Sequence, residues 1–337
     1  SIKMKNLVTG ATGHIGNVLV KELLKRGESV RAFVLPGEDL SPLAGLEIEI
    51  VEGNILDPLS IRPALEGIDC VFHLAGIISI MPGQDPIVHD VNVNGTKNIV
   101  KEAHAAGIKR FVYTSSIHAF KRMPFGVTID ESVPIDPEST IAAYDRSKAE
   151  ATLAVQAETK LGFPAVIVCP TGVIGPYDYK NSELGILIHG WIEHRVDFLI
   201  EGNYDFVDVR DVVQGIIAAR DRGTAGQIYI LSGELVRVID IWRMVKELVN
   251  VKSLLIQIPT KLAYFSANFV QFYYKLAKSK PRLTSYSIET LHTNAVINNQ
   301  KARKSLGYSP RSLKQTLEDT VNWWIAEKKL QRVRTKH

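Results

Sequence analysis

Two pairs of residues in this chain have a spacing suited to proton transfer. Tyr144 and Lys148 are four positions apart, and so are Tyr274 and Lys278. On a helix that spacing puts a phenol and an ammonium on one face. A phenol ordinarily titrates near pH ~10, too high for an efficient base at neutral pH. A neighbouring ammonium favours the phenolate and brings the group into a range where it can take or give a proton. The matching reaction is one on an oxygen that alternates between carbonyl and alcohol, since one form must gain a proton and the other lose it. Spacing alone does not choose between the pairs, but the surrounding chain does. The run "KRFVYTSS" before Tyr144 reads as a strand ending on Ser116, whereas the helix around Tyr274 follows no strand ending in serine. A serine hydroxyl there can donate to the same oxygen and hold it near Tyr144. Ser116, Tyr144 and Lys148 are the expected catalytic set, with Ser115 and Thr114 as close alternatives for the hydroxyl.

These side chains meet only if strands and helices alternate in the right order. "MKNLVTG", "SVRAFVL", "LEIEIVEGN", "DCVFHLAG", "KRFVYTSS" and "PAVIVCP" read as strands. Helical patterns separate them at about His14–Arg26, Leu59–Glu66, Ile87–Ala106 and Thr140–Leu161. Apolar runs alternating with helices imply βαβ units and a parallel sheet, and right-handed crossovers place helices on both faces. The expected fold is α/β, a doubly wound parallel sheet of the Rossmann type with a smaller, interleaved C-terminal domain. Residues 1–170 form the first domain, and "YDFVDVRD" and "GQIYILSG", within 204–232, are expected to return to its sheet. Residues 171–203 and 233–337 make the second, substrate-binding domain.

The loop "VTGATGHIG" carries Gly10, Gly13 and Gly16 directly between the first strand and the first helix. In that context glycines permit a tight turn, close backbone approach to a pyrophosphate and close helix packing. The helix N-terminus offers free N–H groups and a positive dipole end to phosphates. A dinucleotide is therefore the expected ligand.

The Gly-x-x-Gly-x-x-Gly spacing resembles the extended branch of the short-chain dehydrogenase/reductases, the NAD-dependent epimerase/dehydratase superfamily. Further pieces stand in register with it: "HLAG" (His73–Gly76), "NVNGTKNI" (Asn92–Ile99), "YTSS" (Tyr113–Ser116), "YDRSKAEAT" (Tyr144–Thr152), "PTGVIGP" (Pro170–Pro176), and "LGYSP" with "TVNWW" near the end. The resemblance spans essentially the whole chain and is nearest to dihydroflavonol 4-reductase-like and 3β-hydroxysteroid dehydrogenase-like members. It implies that Lys148 also binds the nicotinamide ribose and that Asn94 either supports the site or anchors its helix. The cofactor-binding positions it implies are Gly10, Thr12, Gly13, His14, Ile15, Gly16, Leu35, Asn54, Ile55, Leu74, Ala75, Gly76, Asn94, Thr114, Tyr144, Lys148, Pro170, Gly172 and Val173. The family register puts Val34 and Leu35 where an acid would mark NAD or an arginine NADP. Neither marker is present, but "LPGEDLSPLAG" brings Glu38 and Asp39 and no cation, which favours NAD. Asp57 either lies near the adenine or caps the helix beginning at Pro58.

Nucleotide-sugar members of the family carry an arginine just before the strand that here reads "YDFVDVRD", and Tyr204 stands in its place. A diphosphate without charge-assisted hydrogen bonds binds poorly. The expected substrate is a hydrophobic ketone or secondary alcohol, met by His118, Tyr177, Tyr179, Trp191 and Phe206. The aromatic segment Pro259–Lys280 is read as core packing, a lid over an apolar substrate or a membrane-surface contact. A sugar-nucleotide epimerase or dehydratase with tightly held NAD is the enzyme alternative, and a non-catalytic NAD(P)-sensing regulator the other.

The rest of the composition narrows the class. A net charge of +4 with no internal basic run argues against nucleic acid. Cys70 and Cys169 sit in apolar runs without a ligand spacing, so a reducing cytoplasmic location and no metal are expected. No apolar stretch approaches the roughly 18 residues of a membrane span. The resemblance also implies a homodimer formed through Ile87–Ala106 and Thr140–Leu161.

Overall fold

The computed structural model describes residues 3–78, 83–139, 141–263, 265 and 296–334. In chain order, β1 (Lys5–Thr9) turns into α1 (His14–Lys25), followed by β2 (Ser29–Val34), β3 (Glu49–Glu52), α2 (Pro58–Ala64) and β4 (Cys70–His73). Next come α3 (Asp85–His89), a π-helical turn over Asp90–Gly95, α4 (Thr96–Ala105), β5 (Arg110–Thr114) and the short β6 (Thr128–Ile129). α5 (Ala143–Lys160) leads to β7 (Ala165–Pro170), β8 (Gly172–Ile174), α6 (Glu183–Glu193), β9 (Val196–Ile200) and β10 (Asn203–Asp208). α7 (Val209–Arg222), β11 (Ile228–Leu231), β12 (Glu234–Arg237), α8 (Val238–Val249) and β13 (Leu254–Ile258) follow, and β14 (Val296–Ile297), α9 (Gln300–Leu306) and α10 (Leu313–Arg334) close the described chain.

Seven strands form the main sheet in the order β11-β7-β5-β4-β1-β2-β3, every neighbouring pair parallel. The chain winds outward from β1 through β2 to β3, then returns to β4 on the other side of β1. That reversal opens a crevice at the carboxyl ends of β1 and β4, where doubly wound sheets take their ligands. Apolar residues cover both faces. Leu19, Leu23, Val212 and Ile216 from α1 and α7 pack on one, and Ile99, Ala103, Ala151 and Val155 from α4 and α5 on the other. A third cluster, including Ile174, Ile188, Phe206, Ile241 and Leu317, joins β8, α6, β10, α8 and α10 beyond the carboxyl edge.

Two expectations need correction. "YDFVDVRD" does not return to the main sheet: β10 pairs with β8 and β12 in a separate three-stranded sheet, whereas β11 does join the main sheet beside β7. The chemistry of the two strands explains the difference. Every residue of β11 is buried and none is charged, which suits a strand covered on both faces. β10 carries Asp205, whose carboxylate accepts from Thr171 Oγ1 at 2.6 Å and from the Gly233 N–H at 2.8 Å, tying together the points where β7 and β11 give way to β8 and β12. The long helix expected over Ile87–Ala106 is likewise interrupted, by the π turn.

At the amino-terminal ends of the strands, opposite the crevice, Arg220, almost fully buried, holds α7 to β1 and to the residue before β2. Its guanidinium donates to Glu28 at 3.0 Å and to Asn6 Oδ1 at 3.0 Å. Removing one partner of a buried ion pair leaves a charge without compensation. Arg220→Met is therefore expected to lower the unfolding free energy by about 3 kcal/mol in denaturant titration. A change within about 0.5 kcal/mol, the range of ordinary surface substitutions, would contradict this account of the pair.

Candidate active site

The crevice is built on backbone contact. Gly10 has φ +66°, and a Cβ there would lie 2.8 Å from Ala75 N and from Leu74 C. A Cβ on Gly16 would lie 2.0 Å from the Gly10 carbonyl oxygen. Thr9 Oγ1 accepts from the N–H groups of both Leu74 and Ala75, at 3.0 Å each. Its own hydrogen is thereby directed to His73 Nδ1 at 2.7 Å, and His73 Nε2–H donates to Thr96 Oγ1 at 2.8 Å. Burial pushes His73 down to about 3, so it is a neutral brace. α1 begins after Gly13 without a side-chain cap, leaving its first N–H groups directed at the crevice. Ile15 packs on the core.

Ser116, Tyr144 and Lys148 converge on the same edge, all buried. Ser116 follows β5 and caps the short turn Ile117–Ala119, its Oγ accepting from the His118 N–H at 3.1 Å, so that its hydrogen remains available for donation. Tyr144 lies in the first turn of α5, where the Ser116 side chain acts to lower the pKa of its phenol. Lys148 follows one turn later, with Nζ 6.0 Å from the Tyr144 ring centre and 5.6 Å from that of Tyr113. A Cβ on Gly76 would lie 3.4 Å from this Nζ, so the ammonium reaches the end of "HLAG". Of the alternative hydroxyls, Ser115 is engaged in the core with Thr152 at 2.7 Å. Thr114 Oγ1 is buried and unpartnered among the described residues.

Burial outweighs the expected effect of the ammonium on the phenol. It pushes Tyr144 above the ordinary phenol range, with the Ser116 hydrogen bond pulling partly back, and it pushes Lys148 down to about 8. At neutral pH the phenol thus holds its proton, and most of the lysine is still charged.

Other expected residues fall in different places. Asn94 is exposed and bonds Asp90 at 2.9 Å, which anchors its own helix. The π turn instead turns Asn92 inward, where it bonds both the N–H and the carbonyl of Ile77 and donates to Ser147 Oγ at 3.0 Å. Sequence reasoning missed this residue because it expected an uninterrupted helix there, and the π turn shifts the register; π turns often mark functional sites. His118 lies beside Tyr144, ring centres 6.3 Å apart. Arg122 donates to its Nδ1 at 3.2 Å and to the buried Asp145 at 3.0 Å. A guanidinium only donates, so His118 Nε2 carries the hydrogen and donates to Tyr204 Oη at 2.8 Å. Burial pushes His118 down to about 4, keeping it neutral. Trp191 and Phe206 belong to the third apolar cluster. Tyr177 and Tyr179 pack on Trp323 and Lys21, beside α1 and away from Tyr144. Tyr274 and Lys278, and most of Pro259–Lys280, lie outside the described residues.

At the other end of the crevice Leu35 follows β2, half exposed, and its N–H donates to Glu38 Oε2 at 3.2 Å. Thr12 Oγ1 donates to Glu38 Oε1 at 3.0 Å. Asn54 Oδ1 accepts from the Leu56 N–H, and Ile55 is buried against Gly95. Asp57 caps α2 through the Leu59 N–H at 3.1 Å. Pro170 ends β7, and the absence of a side chain on Gly172, beside Val173 in β8, leaves room for the Tyr204 ring. The backbone cradle at Gly10 and Gly16, the uncapped helix, the orphaned Thr114 hydroxyl and the carboxylate beyond β2 fit a dinucleotide.

A doubly wound sheet with a glycine cradle at its switch point is the frame of the extended short-chain dehydrogenases/reductases, NAD-dependent enzymes. The chain belongs to the NAD dependent epimerase/dehydratase family, which matches residues 6–232. It is 35% identical to sterol demethylase protein B of Methylococcus capsulatus, covering 95% of this chain and 98% of that one. It is 31% identical to a putative dihydroflavonol 4-reductase of Synechocystis, over 94% and 93% of the two chains. The crystal structure of gox2253 superposes with a TM-score of 0.83 at 31% identity, covering 96% of this chain and 98% of that one. Among the described residues no helix is long and apolar enough to cross a membrane.

The titration of Lys148 has a measurable consequence. An ammonium in this place can serve a ribose diol, and it loses its charge as pH rises through about 8. NADH affinity, followed by fluorescence titration, is expected to weaken across that range. Lys148→Met should flatten the profile and lower the affinity at neutral pH. An unchanged wild-type affinity through that range would remove the role.

Proposed function

We propose that this protein interconverts a ketone and a secondary alcohol on a hydrophobic substrate, with NAD preferred over NADP. The observation that carries this reading is the burial of Ser116 and Tyr144 together at the ligand edge of the sheet, with Lys148 one turn behind Tyr144. In reduction Tyr144 gives its proton to the carbonyl oxygen, and in oxidation it takes one from the alcohol. Ser116 donates to the same oxygen and holds it in place. Lys148 stabilises the phenolate that forms and holds the nicotinamide ribose. Bound NAD(H) supplies the hydride donor or acceptor. Tyr204, bonded to His118, in the place of a phosphate-binding arginine supports an uncharged substrate over a nucleotide-sugar. The nearby guanidinium of Arg122 is engaged by Asp145 and His118. The names of the sterol and dihydroflavonol relatives point the same way. Glu38, poised to accept from a ribose hydroxyl, and the uncharged Leu35 support NAD.

The test is NADH consumption with steroid ketones and dihydroflavonols. Tyr144→Phe is expected to abolish turnover while leaving NADH affinity within a few-fold. Lys148→Ala should damage both, and Ser116→Ala should lower turnover by about 10²-fold, the scale for losing one donor to a developing oxyanion. Turnover retained by Tyr144→Phe would overturn the assignment. Protein that purifies with bound NAD and shows no net turnover of added NADH would favour an epimerase instead.

A homodimer through α3, α4 and α5 belongs to the same reading. Ala149 and Ala151 are consumed by the chain's own core, but Ile87 and Leu153 remain exposed on this side. Light scattering at micromolar protein is expected to give twice the chain mass, and a monomer mass would refute the dimer.

A further inference from the structure

We propose that Lys180 sets how strongly this protein discriminates NADH from NADPH, as a cation delivered to the adenosine ribose by the segment between β8 and α6. The proposal rests on the cofactor reading above. That segment is fastened over the glycine loop and α1. His14 Nε2–H donates to the Pro176 carbonyl at 2.9 Å, Asn17 Nδ2 to the Tyr177 carbonyl at 3.0 Å, and Lys21 Nζ to Tyr179 Oη at 3.3 Å. Tyr177 at φ 70° and Asn181 at φ 52° bend the chain on either side of Lys180. Its ammonium donates to Thr12 Oγ1 at 2.7 Å and lies 3.9 Å from Glu38 Oε1. With one lone pair of its oxygen engaged by Lys180, Thr12 sends its own hydrogen to Glu38.

Glu38 is thus an acid with a cation at its back. "LPGEDLSPLAG" contains no lysine or arginine, so a 2′-phosphate read from that stretch alone meets only negative charge. The fold brings the missing cation from a distant part of the chain. The lysine is partly exposed on a flexible four-carbon stem and can turn from Glu38 to a phosphate. A ribose hydroxyl uses Glu38 as acceptor and needs no cation. The pair therefore penalises NADPH less than Glu38 alone would.

The experiment titrates wild type, Lys180→Gln, Lys180→Arg and Glu38→Gln with NADH and with NADPH, reading protein fluorescence. Lys180→Gln is expected to weaken NADPH by about tenfold, the scale of one charge-assisted hydrogen bond, and NADH by less than about threefold. Lys180→Arg should keep the wild-type ratio, and Glu38→Gln should shift it toward NADPH. The NADPH loss in Lys180→Gln should shrink in high salt, because a partly exposed ion pair is screened. Retained NADH binding shows that each variant is folded. Lys180→Gln moving both nucleotides equally, or neither, overturns the proposal while the cofactor reading stands. Wild type binding neither nucleotide overturns both.

Discussion

The hydroxyl of Thr9 joins the two strands that flank the reversal of the sheet, and much of the site depends on it. It accepts from two successive N–H groups after β4 and donates to His73, which in turn reaches Thr96 on α4. One oxygen thus ties the end of β1, the end of β4 and the helix after it. The glycine loop can follow immediately because Gly10 presses its backbone against Leu74 and Ala75 with no side chain between them. A buried polar chain of this kind is stable only when every member is satisfied, and here a neutral histidine completes it. The glycine loop and the end of β4 are held in one frame by this contact.

The reacting end is buried, and burial rather than charge governs its protons. Burial raises Tyr144 and lowers Lys148 and His118 together. The phenol therefore holds its proton in this state, as the proposed reduction of a carbonyl requires, and in the proposed reverse step Lys148 is the group that would favour the phenolate. His118, kept neutral by burial, lies beside Tyr144. Arg122 fixes the tautomer of His118, and the His118 N–H directs the Tyr204 hydroxyl. Arg122 and Asp145 form a charge pair beside His118.

What could be read in the sequence followed from locality. The glycines, Ser116, Tyr144 and Lys148 each sit at a fixed offset from the end of a strand or along one helix, so periodicity locates them. Asn92 was not legible, because the π turn shifts the register and puts Asn94 outside. β10 was expected in the main sheet, but its buried Asp205, tied to Thr171 and Gly233, stands where β8 and β12 leave that sheet, and β10 pairs with them instead. Tyr177 and Tyr179 read as substrate contacts from their aromatic character; in the fold Asn17 and Lys21 on α1 hold them beside that helix. Lys180 was invisible, since nothing local connects it to Thr12.

The central claim is that one crevice orders the dinucleotide so that its reactive ring meets Tyr144. A crystal structure of the protein with NADH tests it most directly. The account predicts the adenosine ribose beside Glu38, the pyrophosphate over the first turn of α1, the nicotinamide ribose within hydrogen-bonding distance of Lys148, and C4 of the nicotinamide facing the Tyr144 hydroxyl. NADH seated in that crevice with its nicotinamide turned away from Tyr144, or bound outside the crevice altogether, would contradict it.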